Sequence, residues 1–352
     1  MRVAVSNPHH LAAIVSLTIV TGCSGMTAGA SIVPSAPAVN VEQPTISTHP
    51  PRKGQPHNIR SSTALYVYAS NRTATGSSEL LVYDAGSQNP APVRTIKKNL
   101  SDIGGIAVDA AGNLYVANGS AGNVLEYAPG ATSLVQTYSK GLADPSDVAV
   151  ANGTLYVADR GNAANGYAQQ VLEYPVGTTT PSLGIAGIGN PPDDNEGIAV
   201  NPTARQGTFF ASASTLQMVP FAGECSGSTS SVGDDLFPTL WLNIPLSNNA
   251  QAPGLAFDAA GNLYASDPCN NDVAIYSDAS ETWTYTGKVQ GTFDAPLFLT
   301  IDGQYLAVPS SGNTQMPQQG YVTVIDLSGS TSTTTITNGL QHPIGAAVGP
   351  RS

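Results

Sequence analysis

Residues 105–127 read GIAVDAAGNLYVANGSAGNVLEY. They form three short apolar runs, Gly105 to Val108, Leu114 to Ala117 and Val124 to Tyr127, parted by two Gly-Asn breaks. Apolar runs of this length bounded by turn formers are strands, because a helix needs a longer stretch with a 3.6-residue period. The first break, Asp109-Ala110-Ala111-Gly112-Asn113, is a hairpin turn in which Gly112 supplies the positive φ. A fourth run, Leu134 to Tyr138, follows. The stretch is therefore an antiparallel meander of four strands, called a to d below. Strand a contains only small and β-branched residues, and so suits a place where strands crowd around an axis.

The meander recurs. Its strand b pattern appears as Leu65-Tyr66-Val67, Leu114-Tyr115-Val116, Leu155-Tyr156-Val157, Phe209-Phe210-Ala211, Leu263-Tyr264-Ala265 and Tyr305-Leu306-Ala307, at spacings of 41 to 54 residues. Strand c recurs from Leu80, Val124, Val171 and Val273, and the a–b turn recurs at Asp258-Ala259-Ala260-Gly261-Asn262. A period of this length built from strands alone indicates propeller blades. The first copy begins at strand b, while the chain ends on an unpaired strand a, His342 to Val348. These fragments complement each other, and joining them leaves no sheet edge open at the axis. The expected fold is all-β: a six-bladed β-propeller over residues 61–352, closed by a C-terminal strand a that completes the first blade.

The pattern P-x-G-(I/V)-A-V-D-x-x-G-N-L-Y-V-A-D-x-G-N-x-x-V resembles the NHL repeat. Residues 104–127, 145–174 and 253–276 match it well, and the other copies match in outline. That resemblance implies an interaction or scaffold module. Broader six-bladed relatives, among them the calcium-dependent gluconolactonase-like propellers, include enzymes, so the site has to choose.

The N-terminus reads as a targeting segment. Arg2 precedes an apolar run, Leu11 to Val20, that is too short to span a bilayer and the right size for a signal sequence. It ends in Val20-Thr21-Gly22-Cys23, which resembles a bacterial lipobox. The resemblance implies that residues 1–22 are removed and that Cys23 carries lipid, anchoring an exported protein in the cell envelope, at the outer membrane or cell surface. Cleavage after Ala28-Gly29-Ala30, leaving a secreted protein, is the alternative. Residues 23–60 are rich in Pro, Ser and Thr without apolar periodicity, and read as a disordered tether.

Composition excludes some functions. The net charge of −11, with 11% of residues charged, gives no basic face for a nucleic acid. Of five histidines only His342 lies in the propeller, which is too few for a histidine-based lyase or metal centre. There is no Gly-x-Ser-x-Gly elbow, and no cysteine is paired with a histidine. What remains is oxygen chemistry at the mouth where the d–a and b–c connections emerge. Asp147 and Glu196 stand at the entrances of two a strands, with Asp193 and Asp194 beside Glu196. Asn118, Asp159 and Asp267 end three b strands. Calcium takes six to eight hard oxygens, so Asp147, Glu196, Asn118 and Asp159 form a candidate calcium set, in type like the axial site of the lactonases. Capping of the b–c turn by the strand-b residues is the competing reading.

Cys225 and Cys269 are a candidate disulfide of an exported protein. Cys225 is expected in an insert of the fourth blade, Ala222 to Pro238, between strands c and d, so on the face opposite the b–c turn that carries Cys269. Asp234, Asp235, Phe237 and Trp241 in and beside the insert are a candidate partner surface. The expected function is a non-enzymatic, monomeric envelope lipoprotein that binds a protein or glycan without a cofactor. The alternative is a calcium-dependent lactonase-like hydrolase.

Overall fold

The structure is a computed structural model. It describes residues 65–161, 169–186, 194–203, 209–214, 231–234, 241–242, 254–268, 270–278, 283–312, 319–329 and 332–351. The expected signal sequence, the tether and Cys23 lie outside these residues.

The described chain is all-β. β1 (Leu65–Arg72), β2 (Ser78–Asp84) and β3 (Arg94–Ile96) begin the first sheet. The second is β4 (Ile103–Val108), β5 (Leu114–Asn118), β6 (Asn123–Tyr127) and β7 (Leu134–Tyr138). The third is β8 (Pro145–Ala151), β9 (Thr154–Asp159), β10 (Gln170–Pro175) and β11 (Leu183–Ala186). The fourth is β12 (Asp194–Val200), β13 (Phe209–Ser214), β14 (Ser231–Asp234) and β15 (Trp241–Leu242). The fifth is β16 (Leu255–Phe257), β17 (Leu263–Asp267), β18 (Asp272–Asp278) and β19 (Trp283–Lys288). The sixth is β20 (Thr300–Asp302), β21 (Tyr305–Ser310), β22 (Tyr321–Asp326) and β23 (Thr333–Ile336). The last strand, β24 (His342–Pro350), pairs with β1 and completes the first sheet. These antiparallel sheets take a β-propeller arrangement. Five are regular, and the fourth ends in a strand of two residues.

Strand b shows why the "LYVA" runs lack polar residues. Leu114 and Val116 pack toward the first sheet, whereas Tyr115 and Ala117 pack toward the third. A strand buried on both faces reads as a continuous apolar run. Each large side chain so buried contributes about 1.5–3 kcal/mol. Similar clusters lie between each sheet and the next, including one between the sixth and first that holds Tyr305, Val322 and Ile336 against Val67, Tyr83 and Val348. Tyrosines clasp the junctions from outside. The Tyr174 hydroxyl donates to the Lys140 carbonyl at 2.6 Å, between the second and third sheets. The Tyr83 hydroxyl donates to Asn338 at 2.7 Å, between the sixth and first. The junction that joins the two ends of the chain thus repeats an ordinary one.

The Asp-Ala-Ala-Gly-Asn turns form as read, with Gly112 and Gly261 at φ of 86° and 83°. Three expectations are corrected. In the first copy the true counterpart of Leu114-Tyr115 is Val67-Tyr68, because Tyr68 pairs with Ala347 as Tyr115 does with Ala107. In the sixth it is Leu306-Ala307, since Ala307 pairs with Thr300 and Ser310 with Pro296. In the fourth sheet β14 pairs with β13, so the long connection is residues 215–230, between b and c rather than between c and d. Asp234 and Trp241 are accordingly strand residues, while Asp235, Phe237, Cys225 and Cys269 lie outside the described residues. Chain order nevertheless puts both cysteines on b–c connections of successive sheets, which removes the expectation that they leave on opposite faces.

Candidate functional site

The a strands of all the sheets converge on one axial cavity of about 140 Å³, lined by Val148, Ile198, Leu255, Leu299 and Val348 among others. Its upper end is where the d–a and b–c connections emerge. The pairings of four inner strands, β4, β8, β12 and β24, are interrupted there by a bulge, as between Pro145 and Asp147 in β8 and between Asn195 and Ile198 in β12. The bulge turns one residue per strand toward the axis.

In β8 that residue is Asp147, which is 4% exposed. Its Oδ1 accepts the Val148 N–H at 2.8 Å and its Oδ2 accepts the Ile198 N–H of β12 at 3.0 Å. The carboxylate also lies against Gly105 of β4, where an added Cβ would sit 1.7 Å from Oδ1. Asp147 therefore braces three successive inner strands, and its neighbour can only be glycine. Glu196 is not its equivalent. By register Gly197 corresponds to Asp147 and Glu196 to Ser146. The Glu196 side chain lies outside the described residues, as does Asp193.

Asn118 and Asp159 are fully buried at the ends of β5 and β9. They cap, chiefly a different connection from the one expected, although Asp159 also bonds within its b–c turn. Asn118 Oδ1 accepts the Ser101 N–H at 2.6 Å, and its amide donates to the Asn99 carbonyl at 3.0 Å. Asp159 accepts the N–H groups of Ala143 and Asp144, the latter at 2.7 Å, and that of Gly161 at 3.3 Å. Both hold the d–a connection that delivers the chain to their own sheet. Asn71, which the sequence reading missed, does the same for Gln341 and His342, each at 3.0 Å. Its signal was available, since it ends strand b once the first copy is shifted by two residues.

The choice between Asn and Asp follows the neighbour on strand c. Asn71 and Asn118 donate to acceptors there, Glu79 Oε1 at 2.7 Å and Asn123 Oδ1 at 2.9 Å. Asp159 instead meets a donor, the Gln170 amide at 3.1 Å. Asp267 accepts from Asn270 in its b–c turn, as expected.

Other groups at this end are also engaged. Arg160, its side chain 14% exposed, lies 3.9 Å from Asp144. His342 Nδ1 is 3.1 Å from the Ser311 carbonyl, at the junction of the sixth and first sheets. Among the described residues no three His, Cys, Asp or Glu side chains are placed to share a metal ion. Chemically, the described upper end is a set of backbone caps with one carboxylate at the axis.

No protein-family model and no curated protein sequence matches the chain. Solved structures do. A chain from the crystal structure of a nidogen/laminin complex is similar at a TM-score of 0.54 and 14% identity, over 81% of this chain and 98% of that one. A functionally unknown protein from Desulfotomaculum acetoxidans DSM 771 aligns over 83% of this chain and all of its own, at a TM-score of 0.49 and 11% identity. At such identities the likeness to the first is one of fold, and the fold it bears out is the β-propeller.

Proposed function

We propose that the protein is a lipid-anchored binding module of the cell envelope, a six-bladed NHL-type propeller that presents its upper face to a protein or glycan. The observation that carries this reading is the engagement of the upper-end polar groups: Asn71, Asn118 and Asp159 hold backbone, which leaves connections rather than a reaction centre as the working surface. Six blades are supported by the six four-stranded sheets and by the apolar clusters that run on from sixth to first. Kinship with the NHL repeat is supported by the Asp-x-x-Gly-Asn-Leu-Tyr turns of the second and fifth sheets. The anchor rests on the Val-Thr-Gly-Cys segment, and residues 23–60 supply the reach. The edge carrying Asp234, Asp235, Phe237 and Trp241 extends the surface. Cys225 and Cys269 pair in this reading, so a non-reducing digest should join their peptides.

The full chain is made with a photo-crosslinking residue at Ser120, exposed on an upper connection, or at Ala110, exposed on a lower turn. A defined adduct in isolated envelopes from Ser120 and none from Ala110 is the expected result, together with palmitate labelling that Cys23→Ser abolishes. Equal adducts from both positions, or none, would sink the surface assignment.

A second reading keeps calcium, because Asp147 is a buried carboxylate at the axis. Asp147 and Glu196 would be the ligands, and Asn118 and Asp159 would join only by giving up backbone bonds. A bound ion would polarise a carbonyl and activate water. An ion present at about 100 times its Kd adds about 2.7 kcal/mol. Melting in calcium against chelator should therefore rise by several degrees, and only with Asp147 intact, if this reading holds. The binding-module reading expects no shift.

A further inference from the structure

The lower end of the axial cavity holds a carboxyl group that its turn does not satisfy. In the second sheet Asp109 accepts the N–H groups of Ala111 and Asn113 at 2.9 and 2.8 Å, the Asn113 amide at 2.9 Å and the Tyr115 hydroxyl at 3.2 Å. In the fifth, Asp258 repeats these bonds with Ala260, Asn262 and Tyr264. Asp302 is their counterpart in the sixth sheet, and it lacks both sources of donors. It pairs directly with Tyr305, so that only Gly303 and Gln304 form the turn and no further N–H folds back over the carboxyl. Ala307 stands where the other sheets have Tyr115 and Tyr264, so no hydroxyl reaches it. Among the described residues no hydrogen bond or ion pair involves the Asp302 carboxyl. Burial pushes its pKa above the usual aspartate value.

Around Asp302 the cavity is lined by the apolar side chains of Val108, Val150, Val200, Phe257 and Val348, while polar atoms make up about half of the lining as a whole. A closed apolar cavity of about 150 Å³ is large enough to take up benzene, so this one, at about 140 Å³ over its whole length from Asp147 to Asp302, has room for one ligand of at most that size. Gly303 and Gln304, which follow Asp302, are exposed to solvent. A single carboxyl without side-chain donors, set among apolar side chains, selects its ligand by chemistry. A neutral apolar molecule would leave the carboxyl unmatched, and an anion would be repelled. An ammonium group offers three donors and the opposite charge.

We propose that the lower end of the axial cavity binds a small organic cation, a primary ammonium on an apolar body of roughly four to six carbons, a size set by the benzene-sized cavity. Asp302 holds the ammonium, and the valines and Phe257 enclose the body. This site is at the opposite end from the upper face and does not depend on the partner proposed there.

The test uses the full chain carrying Cys23→Ser, which removes any acyl group. It is titrated with n-butylammonium chloride in constant sodium chloride, and the methyl resonances of Val108, Val150, Val200 and Val348 are followed. Saturable shifts of these methyls are expected, with affinity at least tenfold weaker for 1-butanol and at least tenfold weaker for butylammonium on Asp302→Asn. Equal binding of the alcohol, or undiminished binding to the Asn variant, would mean an apolar cavity only and would overturn the assignment. So would the absence of saturable shifts. The two probes on the unaltered side chain decide the matter even if Asp302→Asn fails to fold.

Discussion

Removal of residues 342–352 should abolish cooperative thermal unfolding. The lost strand pairs with β1 at eight positions, from Leu65 with Pro350 to Arg72 with His342. It buries Ile344, Ala346, Ala347 and Val348, each at most 3% exposed. Its backbone also reaches the sixth sheet, where the Phe298 N–H donates to Ile344 at 3.0 Å and the Ala346 N–H donates to Phe298 at 3.1 Å. Ile344 and Val348 at about 1.5–3 kcal/mol each and the two alanines at roughly 0.8 kcal/mol each, with the hydrogen bonds left open, approach a whole domain's stability of about 5–15 kcal/mol. The truncated chain would also present β1 as an unpaired edge to other chains. Circular dichroism against temperature reads the outcome, and a synthetic peptide of residues 342–351 added in trans should restore part of the transition. A truncated protein that melts within a few degrees of the intact one would show that the first sheet does not close the ring.

Gly254→Ala should cost about 3 kcal/mol or more, the upper range for overpacking. A Cβ there would lie 2.2 Å from the Leu297 carbonyl oxygen, 2.7 Å from the Leu299 nitrogen and 2.9 Å from the Phe298 Cα. All three are backbone atoms of the neighbouring inner strand, so no rotamer change relieves the clash. At roughly 2–4 °C per kcal/mol the melting temperature falls by roughly 6–12 °C. Gly303→Ala is the comparison. Its φ is +57° and nothing lies within 4 Å of its added Cβ, so it costs only the roughly 1–2 kcal/mol of a left-handed non-glycine residue. If both variants lose the same stability, crowding at the axis is not what requires glycine at position 254.

These two predictions concern features of unequal visibility in the sequence. The unpaired strand at the C-terminus was legible because it is a repeat fragment with a missing complement at the other end. The turns at Asp109 and Asp258 were legible because every bond in them spans at most six residues. Register in the first copy was not. Tyr66 and Tyr68 have the same parity along the strand and face the same way, so either fits a period of two, and only pairing with β24 chooses Tyr68. The b–c caps were read correctly at Asp267 and in part at Asp159, but the bonds to the d–a connection were missed, since Asn118 reaches back to Asn99 and Ser101 across a whole hairpin. The fourth sheet was misread because β14, Ser-Val-Gly-Asp, carries none of the Val-Leu-x-Tyr signature of its counterparts. Asp302 is recognised as the counterpart of Asp109 only through the strand register. The difference lies in a shorter turn and in Ala307, and it acquires meaning only beside the cavity.

The sharing of one sheet between β1 and β24 also sets an order of events during synthesis. The first three strands emerge early, and their inner neighbour is made only after the strands of the other five sheets. Until then Asn71 has no Gln341 or His342 to hold, and Ser70 Oγ lacks the Gly345 N–H that it accepts at 2.7 Å. Domains that complete themselves early fold while the rest of the chain is still being made. This one keeps its first sheet unfinished until β24 arrives, so a product that stops short of β24 has no closed ring to adopt.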